Sequence, residues 1–144
     1  MTLKVGINGL GRIGRMVFRT IFENNLKDIK IKHINNRSNS QISSNLLKYD
    51  SIHGKFNQDI KFGEKFIKIG KQIISFSQET NIEDINWSKH GVDYVLECTG
   101  KFNSKDKLYA HLKNGAKKVV VSAPCKNADK TIVFGVNEKS ITKN

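Results

Sequence analysis

The stretch VGINGLGRIG, residues 5–14, begins as an apolar run and then carries three glycines. It overlaps the apolar segment LKVGI, residues 3–7, which predicts a short buried strand. The following segment RIGRMVFRTIFE, residues 12–23, repeats apolar residues at helical spacing, and DIKIKHIN, residues 28–35, alternates as a second strand does. The glycines therefore lie where a strand turns into a helix, inside a βαβ unit.

The rest of the chain continues this alternation of strands and helices, with one interruption. Residues 55–76 alternate apolar and polar residues, with Gly63 and Gly70 at turns, which predicts an inserted antiparallel meander. The remaining patterns predict a helix over 41–48, a strand over 92–97, a helix over 104–115, and strands over 117–123 and 131–136.

This order of elements predicts an α/β fold, namely a Rossmann-type, doubly wound and mostly parallel sheet with the inserted meander. Parallel strands need crossover connections, and the crossover helices cover both faces of the sheet. A chain of 144 residues is long enough for one domain of ordinary size, so we expect residues 1–144 to form one domain. Ligands of such sheets bind at the carboxyl ends of the strands, which fall here at 8–11, 35–38, 98–100 and 122–124.

The spacing Gly9-x-Gly11-x-x-Gly14 fits a dinucleotide-binding fingerprint. In that fingerprint the first glycine makes a tight turn, the second lets a pyrophosphate approach the backbone, and the third lets the helix pack closely on the strand. The helix N-terminus then offers unpaired N–H groups to the phosphates. We expect a dinucleotide site here, because the pattern follows a predicted strand and opens a predicted helix.

The net charge of +12, from 25 Lys+Arg against 13 Asp+Glu, raises the possibility of a nucleic-acid partner. The positive charges are scattered along the chain without a basic run or helix face, so we expect no dedicated nucleic-acid site. The apolar runs are far shorter than the roughly 20 residues that a membrane span needs. The N-terminus also lacks the apolar centre of a signal peptide. We expect a cytoplasmic protein without membrane contact.

Five stretches together resemble, in order and spacing, the N-terminal half of the phosphorylating glyceraldehyde-3-phosphate dehydrogenases: KVGINGLGRIGR, YDSIHGKF, VDYVLECTGKF, KKVVVSAPCK and TIVFGVNEKS. The resemblance covers essentially the whole chain. It implies an NAD-dependent oxidoreductase of glucose metabolism that oxidises glyceraldehyde 3-phosphate with inorganic phosphate and works as a homotetramer. Two alternatives stay open, an erythrose-4-phosphate dehydrogenase with the same cofactor domain and a stand-alone nucleotide- or RNA-binding module.

The resemblance also implies which residues hold the cofactor. Arg12 and Ile13 would contact the pyrophosphate, while Thr99 and Gly100 would line the path from ribose to pyrophosphate. Ser122 would lie near the nicotinamide ribose. Thr80 stands where the family usually has a basic residue that helps to hold the adenine. The full expected set is Asn8, Gly9, Gly11, Arg12, Ile13, Asn36, Arg37, Thr80, Thr99, Gly100 and Ser122.

Asn36 takes the place of the aspartate that binds ribose in the family. In NAD-specific sites this carboxylate accepts hydrogen bonds from the ribose hydroxyls, and its charge repels the 2′-phosphate of NADP. Asn36 lacks that charge, while Arg37 and Ser38 beside it offer a planar cation and a hydroxyl donor. Either NADP is accepted beside NAD, or Asn36 simply replaces the aspartate and Arg37 points to solvent.

No residue of the chain is expected to be catalytic. The family's nucleophilic cysteine lies in a motif beyond the equivalent of TIVFGVNEKS, and neither Cys98 nor Cys125 lies in such a motif. We expect both thiols to be reduced and His53, in a loop, to be structural. No two histidines or cysteines have the spacing of metal ligands, so we expect no metal. The 144-residue chain alone should bind a dinucleotide without dehydrogenase activity.

Overall fold

The computed structural model of the chain describes residues 1–142. Its α-helices are α1 (Arg12–Glu23), α2 (Ser40–Lys48) and α3 (Lys105–Lys113), and short 3-10 turns lie at Ile82–Asp84 and Glu138–Ser140. The strands are β1 (Leu3–Asn8), β2 (Ile29–Asn35), β3 (Tyr49–Asp50), β4 (Gly54–Lys55), β5 (Ile60–Gly63), β6 (Phe66–Ile69), β7 (Gln72–Ser77), β8 (Tyr94–Glu97) and β9 (Lys118–Val121).

Seven of these strands form one sheet in the order β5-β6-β7-β2-β1-β8-β9. The neighbouring strands β7, β2, β1, β8 and β9 pair in parallel. The strands β5, β6 and β7 pair antiparallel and form the meander. The strands β3 and β4 form a separate hairpin, which the sequence analysis did not predict. The α/β class, the mostly parallel sheet and the inserted meander are thus confirmed.

The core forms where the apolar face of α1 packs on the sheet. Phe18 is fully buried there together with Ile7 of β1, Ile34 of β2 and Leu47 of α2. Burial of each such side chain contributes about 1.5–3 kcal/mol, so this packing fixes α1 against the strands. A second cluster forms around the fully buried Trp87.

Two glycines of the fingerprint have conformations or contacts that other residues do not tolerate. Gly9 has a φ of +94°, in the left-handed region. A Cβ atom on Gly14 would lie 2.1 Å from the carbonyl oxygen of Gly9, so α1 approaches the turn more closely than any side chain allows. The first and third glycines therefore have the structural roles that the fingerprint predicts.

The strand predicted over residues 131–136 is wrong. These residues form an irregular segment and a turn, in which Val133, Phe134 and Val136 are 55%, 91% and 78% exposed. A strand needs a neighbour that completes its hydrogen bonds, and this segment is not paired with β9, the last strand of the sheet. An apolar run such as TIVFGV does not by itself supply that neighbour.

Other elements differ from the prediction only at their ends, as in β8, which begins at Tyr94, and β9, which is shorter by one residue at its start and two at its end. Within the described residues, no helix combines the length and the apolar character needed to cross a membrane.

Candidate dinucleotide-binding site

A cleft of about 610 Å³, counting the space open to solvent, lies at the carboxyl ends of the parallel strands. The cleft brings together seven of the residues that the sequence analysis selected, Asn8, Gly9, Gly11, Asn36, Arg37, Thr80 and Thr99. Its other lining residues are Asn35, Glu79, Ile82, Ile85, Cys98, Lys101 and Phe102. The sheet edge therefore collects residues from four separate parts of the chain.

The other selected residues lie outside the lining of this cleft. Arg12 and Ile13 are the first residues of α1, directly after the lining residue Gly11, and Ile13 is 50% exposed. Gly100 lies between the lining residues Thr99 and Lys101. Ser122 is exposed just after β9, with its backbone N–H donated to the carbonyl of Glu97 at 3.0 Å. Four of the selected residues thus border the cleft or lie beyond it.

Arg12 has an acidic partner that the sequence analysis did not foresee. Its guanidinium lies 3.7 Å from the carboxylate of Asp50, which is almost fully buried. The same carboxylate accepts the backbone N–H groups of His53 and Ile52 at 2.8 and 2.9 Å, and these bonds hold the pKa of Asp50 well below its ordinary range. The charge of Asp50 therefore holds Arg12 beside the cleft, while His53 helps to close the β3–β4 turn.

The N-terminus of α1 is open toward an anion. Its N-cap residue is Gly11, no side chain caps it, and its first turn carries no acidic residue. The unpaired N–H groups and the helix dipole thus present a partial positive charge at the mouth of the cleft. This is the arrangement by which helix N-termini bind phosphate groups.

Asn36 connects the glycine turn to α2. Its Oδ1 accepts the backbone N–H of Leu10 at 3.1 Å, and its Nδ2 donates to the hydroxyl of Ser43 at 3.0 Å. The Leu10 N–H can only donate, so it fixes which amide atom faces the turn. One lone pair of Oδ1 and one hydrogen of Nδ2 remain for a ligand. The side chain can therefore bind a ribose hydroxyl without leaving its protein partners.

Glu97 is the residue that the sequence analysis missed. It ends β8, is 1% exposed, and accepts hydrogen bonds from Asn8, His111 and both donors of Thr99. Burial raises the pKa of Glu97, but the bonds from His111, Thr99 and Asn8 outweigh burial and leave the pKa below its ordinary value. An acidic residue closing the apolar run VDYVLE is the signal that could have identified it.

A second buried titratable group, His33, lies between the neighbouring strands β2 and β7. His33 of β2 is 1% exposed, with its ring nitrogens 2.7 Å from the hydroxyl of Ser75 and 2.9 Å from that of Ser77. Its ring stacks on that of His90 with 3.8 Å between the centroids. Burial and the charge of His90 lower the pKa of His33 to about 3. His33 is therefore uncharged at neutral pH.

Cys98 lies in the lining of the cleft, but its surroundings favour the thiol over the thiolate. Burial raises the pKa of Cys98 and outweighs a hydrogen bond with Ser122 that lowers it, and the Glu97 carboxylate makes a smaller contribution that also raises it. A protonated thiol is a poor nucleophile. Among residues 1–142, no group of three or more His, Cys, Asp or Glu side chains is placed to hold a metal ion.

Known proteins resemble this chain along nearly its whole length. The family described as "Glyceraldehyde 3-phosphate dehydrogenase, NAD binding domain" matches residues 3–105. The glyceraldehyde-3-phosphate dehydrogenase of Cereibacter sphaeroides is 45% identical over 142 residues, which cover 99% of this chain and 42% of that protein. The protein of the same name from Geobacillus stearothermophilus is 45% identical over 139 residues, covering 96% and 41%.

The chain thus spans about two fifths of the length of these relatives. The family match covers well over half of the chain and includes the glycine turn, Asn36, Glu97 and Thr99. The chain therefore belongs to the family of glyceraldehyde 3-phosphate dehydrogenase NAD-binding domains.

Proposed function

We propose that this chain is the cofactor-binding part of an enzyme that oxidises glyceraldehyde 3-phosphate with NAD and inorganic phosphate. The observation that carries the proposal is the uncapped N-terminus of α1, which opens beside Gly11 into the cleft. Both the family match and the names of the relatives support it. The comparisons do not favour an erythrose-4-phosphate dehydrogenase or a stand-alone RNA-binding module.

In this proposal the pyrophosphate binds at Gly11, Arg12 and Ile13, where the helix dipole and the Arg12 guanidinium attract its charge. Asn36 binds the ribose of the adenosine half, and Thr80 lies toward the adenine. Thr99 and Gly100 line the path to the second ribose, near Ser122. The bound nicotinamide would accept the hydride from the substrate. The residues of this chain hold and orient the cofactor.

Calorimetric titration of the 144-residue chain with NAD tests the proposal. Gly11→Ala is the informative variant, because its φ of −68° suits alanine and the nearest atom to the added Cβ is 3.8 Å away. The methyl group should leave the fold intact but keep the pyrophosphate from the backbone, weakening NAD binding by at least tenfold. Gly70→Ala is the control for a general loss of stability, since at a φ of +55° the added methyl group strains a distant turn while no atom lies within 4 Å of it.

Absence of NAD binding by the unmodified chain, at concentrations where it is folded, would contradict the proposed function. Equal losses in Gly11→Ala and Gly70→Ala would instead contradict the proposed position of the pyrophosphate. Both outcomes are read from the same titrations.

Dehydrogenase activity is a separate part of the proposal. We infer that the 144-residue chain alone does not turn over glyceraldehyde 3-phosphate, since neither of its cysteines lies in the family's nucleophile motif and the Cys98 thiol is protonated. A spectrophotometric assay of NADH formation checks this. Steady NADH formation that depends on both aldehyde and phosphate would contradict it.

We also propose a cytoplasmic enzyme that assembles as a homotetramer, as the family resemblance implies, and no dedicated nucleic-acid site. The scattered distribution of the +12 net charge supports the last point. An RNA interaction that rests on dispersed lysines should weaken steeply with salt through counterion release. Titration with RNA at several salt concentrations, beside NAD, distinguishes such an interaction from a built site.

A further inference from the structure

Glu97 lies beneath the cleft without lining it, and each of its carboxylate oxygens has two donors. Oε1 accepts the backbone N–H of Thr99 at 2.9 Å and the Thr99 hydroxyl at 2.5 Å. Oε2 accepts the Nδ2 of Asn8 at 2.7 Å and the Nε2 of His111 at 2.9 Å. A carboxylate offers about four acceptor positions, so all of them are occupied by protein donors.

Three of the four donors on Glu97, namely the Asn8 amide, the His111 imidazole and the Thr99 backbone N–H, cannot become acceptors. The indole N–H of Trp87 donates to Nδ1 of His111 at 2.9 Å, so Nδ1 is an acceptor and Nε2 carries the proton toward Glu97. The Thr99 hydroxyl accepts the backbone N–H of Lys101 at 3.2 Å and directs its own hydrogen to Glu97. Three of the four donors therefore cannot accept a proton from Glu97, and the set as a whole favours its ionised form.

Asn8 extends this hydrogen-bond network to the opposite wall of the cleft. Its Oδ1 accepts Nδ2 of Asn35 at 2.9 Å, and Asn35 binds both backbone polar groups of Glu79, the N–H at 2.8 Å and the carbonyl at 3.0 Å. Asn8, Asn35 and Glu79 all line the cleft, as do Thr99 and Lys101 on the other wall. One buried carboxylate is thus connected to both walls.

Thr99 also packs directly on the glycine turn. A Cβ atom on Gly9 would lie 2.8 Å from the Thr99 methyl carbon and 2.9 Å from its backbone nitrogen, so no space separates the two segments. Movement of Thr99 would therefore disturb the turn that leads to the N-terminus of α1. The position of Thr99, in turn, is set by its two bonds to Glu97.

We propose that Glu97 is a positioning residue for the dinucleotide, one that fixes Thr99 and Asn8 in the lining of the cleft without touching the ligand. This inference rests on the proposed function, since it assigns Glu97 a role in NAD affinity. It predicts that neutralising Glu97 weakens NAD binding more than a substitution at another, equally buried position of the core does.

Glu97→Gln isolates this role, because it keeps the size of the side chain and replaces one acceptor oxygen by a donor NH2 group. Turned toward Asn8 and His111, that group meets two N–H donors that cannot become acceptors. Turned toward Thr99, it meets a hydroxyl that can rotate and a backbone N–H that cannot. The second orientation leaves fewer donors without an acceptor, so it is the favoured one. In it the backbone N–H of Thr99 loses its acceptor, and the 99–101 segment should become more mobile.

The matched control is Val95→Ala. It leaves a cavity in the core cluster around Trp87, while the Trp87–His111 bond and all four donors on Glu97 remain. Calorimetry with NAD, at a temperature where both variants are folded, should show at least a tenfold weaker affinity for Glu97→Gln and a change within threefold for Val95→Ala. Equal losses in the two variants, or a change within threefold for Glu97→Gln, would overturn the proposal.

Hydrogen exchange at the amide of residue 99 provides a readout that does not depend on NAD. It should be faster in Glu97→Gln than in Val95→Ala, and equal protection would overturn the proposal even if the unmodified chain bound no dinucleotide. If Glu97→Gln does not fold, Thr99→Ser and Thr99→Val replace it, because only Thr99→Val loses the hydroxyl bond to Glu97. Thr99→Val should then bind NAD at least threefold more weakly than Thr99→Ser, and equal affinities would overturn the proposal.

Discussion

The indole N–H of Trp87 donates to Nδ1 of His111 at 2.9 Å, in a part of the core where neither side chain is exposed. Since the indole can only donate, this contact sets the tautomer of the imidazole and directs Nε2–H to Glu97. The Trp87–His111 bond thus makes His111 a hydrogen-bond donor to the Glu97 carboxylate below the cleft.

His111→Leu should destabilise the fold strongly. It leaves the Trp87 N–H without an acceptor and Glu97 with one donor fewer, and unsatisfied buried groups cost about 1–3 kcal/mol each, more for a charged group. We therefore expect a loss of about 2–4 kcal/mol in the free energy of unfolding, measured with urea. Lys107→Ala, at an exposed position of the same helix, should change it by less than about 0.5 kcal/mol. A loss below 1 kcal/mol for His111→Leu would contradict the account.

Gly14→Ala should destabilise the fold because the added Cβ would lie 2.1 Å from the carbonyl oxygen of Gly9, a backbone atom that cannot move aside without shifting the turn. The expected loss is about 1–3 kcal/mol, as for other overpacked positions. Gly11→Ala is the matched variant in the same turn and should cost less, since its Cβ has space. Thermal unfolding of both variants measures this difference. A higher midpoint for Gly14→Ala than for Gly11→Ala would show that α1 does not lie this close to the Gly9 carbonyl.

Acidification should weaken the fold through His33. Its pKa is about 3 in the folded protein against 6.5 for the free group, so between these values the unfolded chain binds more protons than the folded one. The stability that the neutral His33 provides is therefore lost as the pH falls below 6.5, by at most about 1.4 kcal/mol per pH unit. The lowered pKa of His90 acts in the same direction.

Urea unfolding between pH 6.5 and 5 measures this slope above the range in which Asp50 and Glu97 contribute. His33→Gln should flatten the slope, whereas the control Lys107→Ala, at an exposed position of α3 and with every histidine in place, should not. An unchanged slope in His33→Gln would show that His33 is not the group that binds the extra proton in the unfolded state.

Asn36 is expected to relax the choice between NAD and NADP, so that the two affinities of the unmodified chain lie within about tenfold, or roughly 1.4 kcal/mol. Arg37 lines the cleft beside it and can pair with the 2′-phosphate. Asn36→Asp should restore the preference for NAD, because the carboxylate can keep the bond from Leu10 N–H while its charge repels the phosphate. Calorimetric titration with both cofactors measures the ratio.

Arg37→Gln, as a second variant, should weaken NADP binding and leave NAD binding within threefold. A preference for NAD of a hundredfold or more in the unmodified chain would mean that Asn36 simply replaces the aspartate. The same conclusion would follow if Asn36→Asp left the ratio unchanged.

The sequence by itself determined the elements whose signals are local. The period of residues 12–23, the alternation in 60–77 and the spacing of Gly9, Gly11 and Gly14 each reflect a conformation that a short segment adopts on one side of a core. These signals predicted a mostly parallel sheet and the edge of the sheet where the cleft lies, but not the order of its strands. The residues at the strand ends were predictable for the same reason.

The tertiary structure decided everything that depends on partners distant in the chain. Asn8 and Glu97 are 89 residues apart, and no periodicity indicates that one donates to the other. The pairing of Arg12 with Asp50, and the failure of residues 131–136 to join the sheet, depend in the same way on which surfaces meet after folding. A buried hydrogen bond or a sheet edge requires a specific neighbour at about 3 Å, and only the packing of the whole chain places that neighbour.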